Sequence, residues 1–195
     1  MSKADWTRPQ PRLSSRPFTF AAFAALVTAL IAGAVDAQQK SPGAGQIIVL
    51  ETVKGTIELE TYPEEAPKTV ARVIELVQKN FYNGLRFHRA EPNFVIQIGD
   101  PVSRDMSRQE WWGRQGSGKP IGVAEITKKR RHGIGAVSLA HGGAPTAGDS
   151  QFFITRRAAP ELDGKYTVFG KVLKGQDVVA KIQRGDILKR AYLRE

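Results

Sequence analysis

Between Ile47 and Val53 the chain runs Ile-Ile-Val-Leu-Glu-Thr-Val, an apolar, β-branched stretch that predicts a strand. After Lys54-Gly55, the segment Thr56-Ile57-Glu58-Leu59-Glu60 alternates polar with apolar, as a half-buried strand does, so the two form a hairpin. At Pro63 the period changes. Val70, Val73, Ile74 and Val77 recur at helical spacing, Glu64 and Glu65 stand where the helix dipole favours anions, and Pro67 suits a first turn. A helix is therefore expected over Pro63 to Lys79. Asn83-Gly84 makes a turn before a strand containing Phe87, and Phe94 to Ile98 is another short strand. Ala136 to Ala140 and Gln151 to Ile154 read as brief strands around a glycine-rich loop from His141 to Gly148. Tyr166 to Val172 is a further strand, and Val179 and Ile182 share one side of a helix over Gln176 to Gln183. Pro101 to Arg131 reads as a long irregular surface loop. Many short strands with two separated helices predict a mainly β protein, a closed barrel or sandwich capped by helices; the connections are too short for a βαβ repeat.

The first 37 residues differ from the rest. Lys3, Arg8, Arg12 and Arg16 precede an uncharged run, Phe18 to Val35, and Val35-Asp36-Ala37 offers small residues at the spacing a signal peptidase reads. An export signal cut after Ala37 is expected, with an uncleaved membrane anchor as the alternative, because the run is intermediate between a signal core and a spanning helix. Either places the folded part across a membrane from the cytosol. Gln38 to Gly45 reads as a linker, and the domain proper as residues 46–195. Removing the four basic and two acidic residues of the leader from 29 and 19 leaves 25 and 17, a formal charge of +8. Lys128-Lys129-Arg130-Arg131-His132 is the densest basic patch; no aromatics are interleaved with it, so a solvated loop is expected and no nucleic acid partner.

Several chemistries fail on context. The chain has no cysteine, which excludes thiol catalysis, disulfides and cysteine-based zinc sites. Gly113-Arg114-Gln115-Gly116-Ser117-Gly118-Lys119 matches most of a phosphate-binding loop, but Pro120 stands where a Ser or Thr must reach magnesium. Gly148-Asp149-Ser150 resembles an esterase nucleophile block, yet no histidine follows position 141. His88, His132 and His141 lack paired metal-ligand spacing, so no metal and no cofactor are expected. His88 and Arg89 adjoin on a strand and point to opposite faces; His88 is expected as a satisfied core residue.

Arg89 alone reads as a surface arginine paired with Glu91 or Asp100. Its company changes that: Phe87-His88-Arg89, then Phe94-Val95-Ile96-Gln97-Ile98-Gly99-Asp100, then Ser150-Gln151-Phe152-Phe153-Ile154, then Leu162-Asp163-Gly164-Lys165-Tyr166 and Val168-Phe169-Gly170. In type, order and spacing these runs resemble the cyclophilin family of peptidyl-prolyl cis-trans isomerases, over about Ile47 to Tyr192. The resemblance implies a closed eight-stranded antiparallel barrel with a helix closing each end. It implies Arg89 as the catalytic arginine, Gln97 as the glutamine that orders it, and Phe94, Val95, Phe153 and Leu162 as walls of a proline pocket. Gln151 would line the same groove, Tyr166 would keep an apolar wall, and Ala140 and His141 would form the strand edge beside the substrate backbone. Proline-containing segments of unfolded proteins are the implied partners, for a monomer exported from a bacterial-like cell. Glu161 occupies the place of a tryptophan that favours cyclosporin in many members, which implies weak cyclosporin binding. A binding or chaperone module using the same groove without turnover is the rival reading.

Overall fold

The computed structural model describes residues 40–194. The expected export segment, its cut after Ala37 and the first residues of the linker lie outside them. The described elements are β1 (Ile47–Thr52), β2 (Gly55–Thr61), α1 (Pro67–Gln78), β3 (Arg89–Ala90), β4 (Val95–Ile98), β5 (Ala136–Leu139), β6 (Phe152–Thr155), β7 (Val168–Lys174), α2 (Gln176–Lys181) and β8 (Leu188–Leu193). The eight strands form one antiparallel sheet in the order β3-β4-β6-β5-β7-β2-β1-β8.

The sheet curls but does not close, which corrects the expected closed barrel. Its end strands β3 and β8 share no ladder. β3 is only two residues long, and the seam beside it is made by one isolated bridge, Arg86 to Ile187, and by turn-like backbone bonds such as Gly84 N–H to Leu188 O at 2.8 Å. β8 escapes the hydrophobic pattern because Lys189 and Arg190 sit together in its middle; Leu188, Ala191 and Leu193 pack against the core. Helix α1 begins at Pro67 rather than Pro63, since Tyr62 to Ala66 forms a turn closed by Ala66 N–H to Tyr62 O and Pro67 can start a helix without a donor. α2 stops at Lys181 because Ile182 is extended. The expected loop from Pro101 holds two 3₁₀ segments, Pro101–Arg104 and Met106–Trp111, capped by the side chains of Asp100 and Asp105.

Alternation sorts the strands into two faces. Inward-facing Leu50, Ile57, Leu59, Ile96, Ile98, Val137, Leu139, Phe152 and Ile154 pack with Val70, Val73 and Val77 of α1 and with Val179 of α2. Phe152 meets Tyr82 and Phe169 edge-on, with centroids 5.4 and 6.0 Å apart, and the Tyr82 hydroxyl donates to Ser150 O at 3.0 Å. Each such large side chain contributes about 1.5–3 kcal/mol by its burial. The end of β4 runs against the backbone of Ser150 so closely that only Gly99, at φ 113°, fits between them.

Candidate active site

The outward face of the short strands carries the candidate residues. Register pairs Arg89 of β3 with Gln97 of β4, Gln97 with Phe153 of β6, and Phe153 with Ser138 of β5. Directly paired residues project to the same side, so these four form one row across the sheet. Phe153 is the floor of a hollow of about 220 Å³, lined also by Arg89, Phe94, Val95, Gln97, Ala140, His141, Leu162 and Tyr166. Every residue expected in the proline pocket is thus brought together. Gln151 is not in that hollow; it lines an adjoining depression of about 450 Å³ with Gly113, Gln115 and Ala147, and it reaches the site through Gln97.

Arg89 lies at the mouth with 43% of its side chain exposed. Its Nε donates to Glu91 Oε1 at 2.6 Å and its Nη1 to Gln97 Oε1 at 3.4 Å, while the guanidinium carbon stands 5.6 Å from the Phe94 ring centroid. The surface ion pair and the site role therefore coexist: Glu91 and Gln97 hold two edges of the guanidinium, and among the described residues Nη2 has no hydrogen-bond acceptor. Gln97 Nε2 donates to Gln151 Oε1 at 2.9 Å, and Gln151 Nε2 donates to Gly113 O at 3.0 Å and Gln115 O at 2.7 Å. That loop is in turn fixed by fully buried Asp100, whose Oδ2 accepts from the N–H groups of Gly113, Arg114 and Gln115 and whose Oδ1 accepts from Val102 N–H. A continuous chain of hydrogen bonds thus leads from Asp100 to Arg89.

The same bonds explain why the glycine-rich run is no phosphate site. Its amides point at the protein's own carboxylates: Asp100 takes those of residues 113–115, and Asp149 takes the N–H groups of Gly118 and Lys119 and the Ser117 hydroxyl. Ser150, in the esterase-like block, is fully buried and donates to Gly99 O.

Two partners of the hollow carry no sequence signal of their own. Arg157 stacks on Phe94 from another side, 5.4 Å from its centroid, and pairs with Glu161 at 2.6 Å. This pairing holds the Glu161 carboxyl below its usual range. Buried His132 stacks on Phe153 with centroids 5.9 Å apart; its Nδ1 lies 2.8 Å from Asp163 Oδ1 and its Nε2 3.1 Å from Ser138 Oγ. Ser138 has no exposed surface and gives its proton to Thr167 O, so this Asp-His-Ser chain braces Phe153 and offers no nucleophile. Tyr166 meets Phe153 edge-on at 5.4 Å and stacks on His141 at 4.5 Å; His141 is anchored by Nε2 to Lys165 O at 3.0 Å. His88 is buried as expected but not satisfied. Among the described residues neither ring nitrogen has a hydrogen-bond partner, and burial pushes its pKa down to about 4.

Residues 47–192 match the family described as cyclophilin type peptidyl-prolyl cis-trans isomerase/CLD. Peptidyl-prolyl cis-trans isomerase B of Bacillus subtilis is 42% identical over 133 residues, covering 68% of this chain and 87% of that protein. Peptidyl-prolyl cis-trans isomerase CYP71 of Arabidopsis thaliana is 41% identical over 138 residues, 70% of this chain but only 21% of that longer protein. Among solved structures, a Cryptosporidium parvum cyclophilin type peptidyl-prolyl cis-trans isomerase, crystallised in the presence of the dipeptide Ala-Pro, superposes with a TM-score of 0.67 at 24% identity, covering 77% of this chain and 99% of that one. The chain belongs to the cyclophilin-type peptidyl-prolyl isomerases. Its activity is cis-trans isomerisation of X-Pro bonds, which assists folding.

Proposed function

We propose that Arg89 is the catalytic residue of this isomerase and that the hollow over Phe153 holds the proline ring. The supporting observation is the placement of one guanidinium, held on two edges and open on a third, at the mouth of an apolar cavity whose other walls are Phe94, Val95, Leu162 and Tyr166. Rotation about X-Pro is slow because the nitrogen donates into the carbonyl, leaving a barrier of about 18–20 kcal/mol. At the twisted transition state that conjugation is broken and the nitrogen gains a lone pair. A guanidinium N–H donates to this lone pair and has no such acceptor in the planar ground state, and only differential binding of this kind accelerates. The apolar walls grip the pyrrolidine ring while the acyl side turns, and they exclude water, which strengthens the guanidinium's effect. Lowering the barrier by about 7 kcal/mol corresponds to roughly 10⁵-fold. Gln97 orders the arginine, and Ala140 and His141 border the substrate backbone.

The same reading makes the clients unfolded proteins across a membrane from the cytosol, reached by export through residues 1–37. It makes the protein a monomer, and a weak binder of cyclosporin because Glu161, paired with Arg157, brings charge to the pocket's edge. The chymotrypsin-coupled assay on a short Ala-Pro peptide tests the mechanism. No proton is transferred, so kcat/KM stays nearly flat between about pH 6 and 9. A bell-shaped profile would require acid-base chemistry instead, and no turnover at all would leave a binding module.

A further inference from the structure

The basic run expected as a solvated loop has two kinds of cation. Arg130 is structural: it lies over the Tyr62 ring, 3.7 Å from the centroid, and donates to Glu65 Oε1 and to Pro42 O, both at 3.1 Å. Lys129 completes that cluster with Glu65 at 2.8 Å. Lys128, Arg131 and Lys171 are exposed, and among the described residues none forms an ion pair. Asp163, the carboxylate on which Arg131 acts, is occupied by the backbone N–H and ring of His132. Lys129, Arg130, Arg131 and Lys171 line a cleft of about 450 Å³ together with Ser41, Tyr62 and Ile134. Ile134 is 56% exposed, more than Val53, Met106 or Trp111.

We propose that this cleft, extended by Lys128, is a docking surface for a lipid bilayer bearing anionic headgroups. Three unpaired cations draw the face to negative charge. The exposed isoleucine lining the same cleft has an apolar place to go at a bilayer, whereas a single-stranded nucleic acid would need a stacking platform, and the one aromatic ring lining the cleft is covered by Arg130. The chain itself supplies the third argument. Ser41 lines the cleft and follows Val35, the last residue of the uncharged run, by six positions, which span at most about 20 Å. Anchored by that run, the domain could present this face to the surface at high local concentration. The inference rests on the membrane reading of the leader only for that concentration; the charge and the exposed isoleucine stand without it. The cleft shares no lining residue with the hollow over Phe153, so a docked domain keeps its proline pocket free.

The chain has no cysteine, so a single environment-sensitive dye can be placed at Gly133→Cys, where an added Cβ meets nothing within 4 Å. The full chain would be mixed with vesicles of phosphatidylcholine alone or with added phosphatidylglycerol, and dye emission read alongside sedimentation. The proposal expects an emission shift only with phosphatidylglycerol, suppressed at high salt. In the Lys128→Glu/Arg131→Glu/Lys171→Glu variant, the dye response should need roughly a hundredfold more anionic lipid. A Lys→Gln/Arg→Gln version of the same variant guards against misfolding, and unchanged Ala-Pro turnover certifies the fold in both. Sedimentation with both vesicle types without a dye response would leave the anchor intact and overturn the docking surface. A response equal on neutral vesicles, one untouched by charge reversal, or one matched at equal salt by an oligonucleotide would overturn it as well.

Discussion

Strands β7, β2, β1 and β8 are six or seven residues long, whereas β3, β4, β6 and β5 have two to four. The long-strand half is held by longer ladders, bulged once between β1 and β8 and once between β2 and β7, and by buried aliphatics such as Leu50, Ile57 and Leu59. In the short-strand half, side chains finish what the ladders leave undone: Ser150 donates to Gly99 O, Thr155 to Gly133 O, and Asp100 gathers four backbone amides. All the proposed catalytic residues lie in the second half or the loops beside it. Short ladders leave an outward face that loops can wall, and they make the position of Arg89 depend on polar contacts rather than on core packing.

If that division holds, substitutions in the two halves separate stability from activity. Leu50→Ala, in the long-strand half, should cost about 2–5 kcal/mol in denaturant unfolding. Its kcat/KM per folded molecule should be unchanged. Asp100→Ala strands four amides and should cost about 3 kcal/mol or more. Unlike Leu50→Ala, it should also lower kcat/KM, by loosening the path through Gln151 and Gln97; an unaltered kcat/KM would break the comparison. His88 tests the same half by pH. Its folded pKa of about 4 lies below the ordinary 6.5, so the unfolded chain binds the proton first. The stability present above about pH 6.5 is therefore lost as pH falls toward 4, by up to about 3 kcal/mol. His88→Leu should flatten that acid limb in thermal melts taken across the range. The smallest effect in free energy is the most specific. Arg89→Ala should lower kcat/KM about tenfold to a hundredfold, the scale of one lost transition-state donor, with the melting temperature unmoved. Unchanged turnover of the Ala-Pro peptide would remove Arg89 from the mechanism.

Much of this was readable beforehand, for identifiable reasons. β1, β2 and α1 are local patterns, alternation or helical spacing within a dozen residues, and they fold as the pattern implies, except that α1 starts only at Pro67. β8 was hidden because its two central charges break the alternation, and its place at the sheet end depends on β1, more than a hundred residues away. The site residues were recognisable as ordered runs, but not their couplings. Glu91 beside Arg89 could be suspected from proximity in sequence. Gln97 with Gln151, 54 positions apart, could not, nor could the stacking of His132 behind Phe153 or of Arg157 on Phe94.

The order of residues alone determined the family, the mainly β architecture and which residues would line the hollow over Phe153, because hydrophobic periodicity and motif spacing are properties of neighbours along the chain. Only the tertiary structure decided that the sheet stays open at β3 and β8, that the glycine-rich run closes on Asp100 and Asp149, and which basic side chains remain unpaired. Each of those outcomes depends on which distant groups meet in three dimensions. Hydrogen bonds and ion pairs are satisfied by whatever lies within a few ångströms, whatever the separation in sequence.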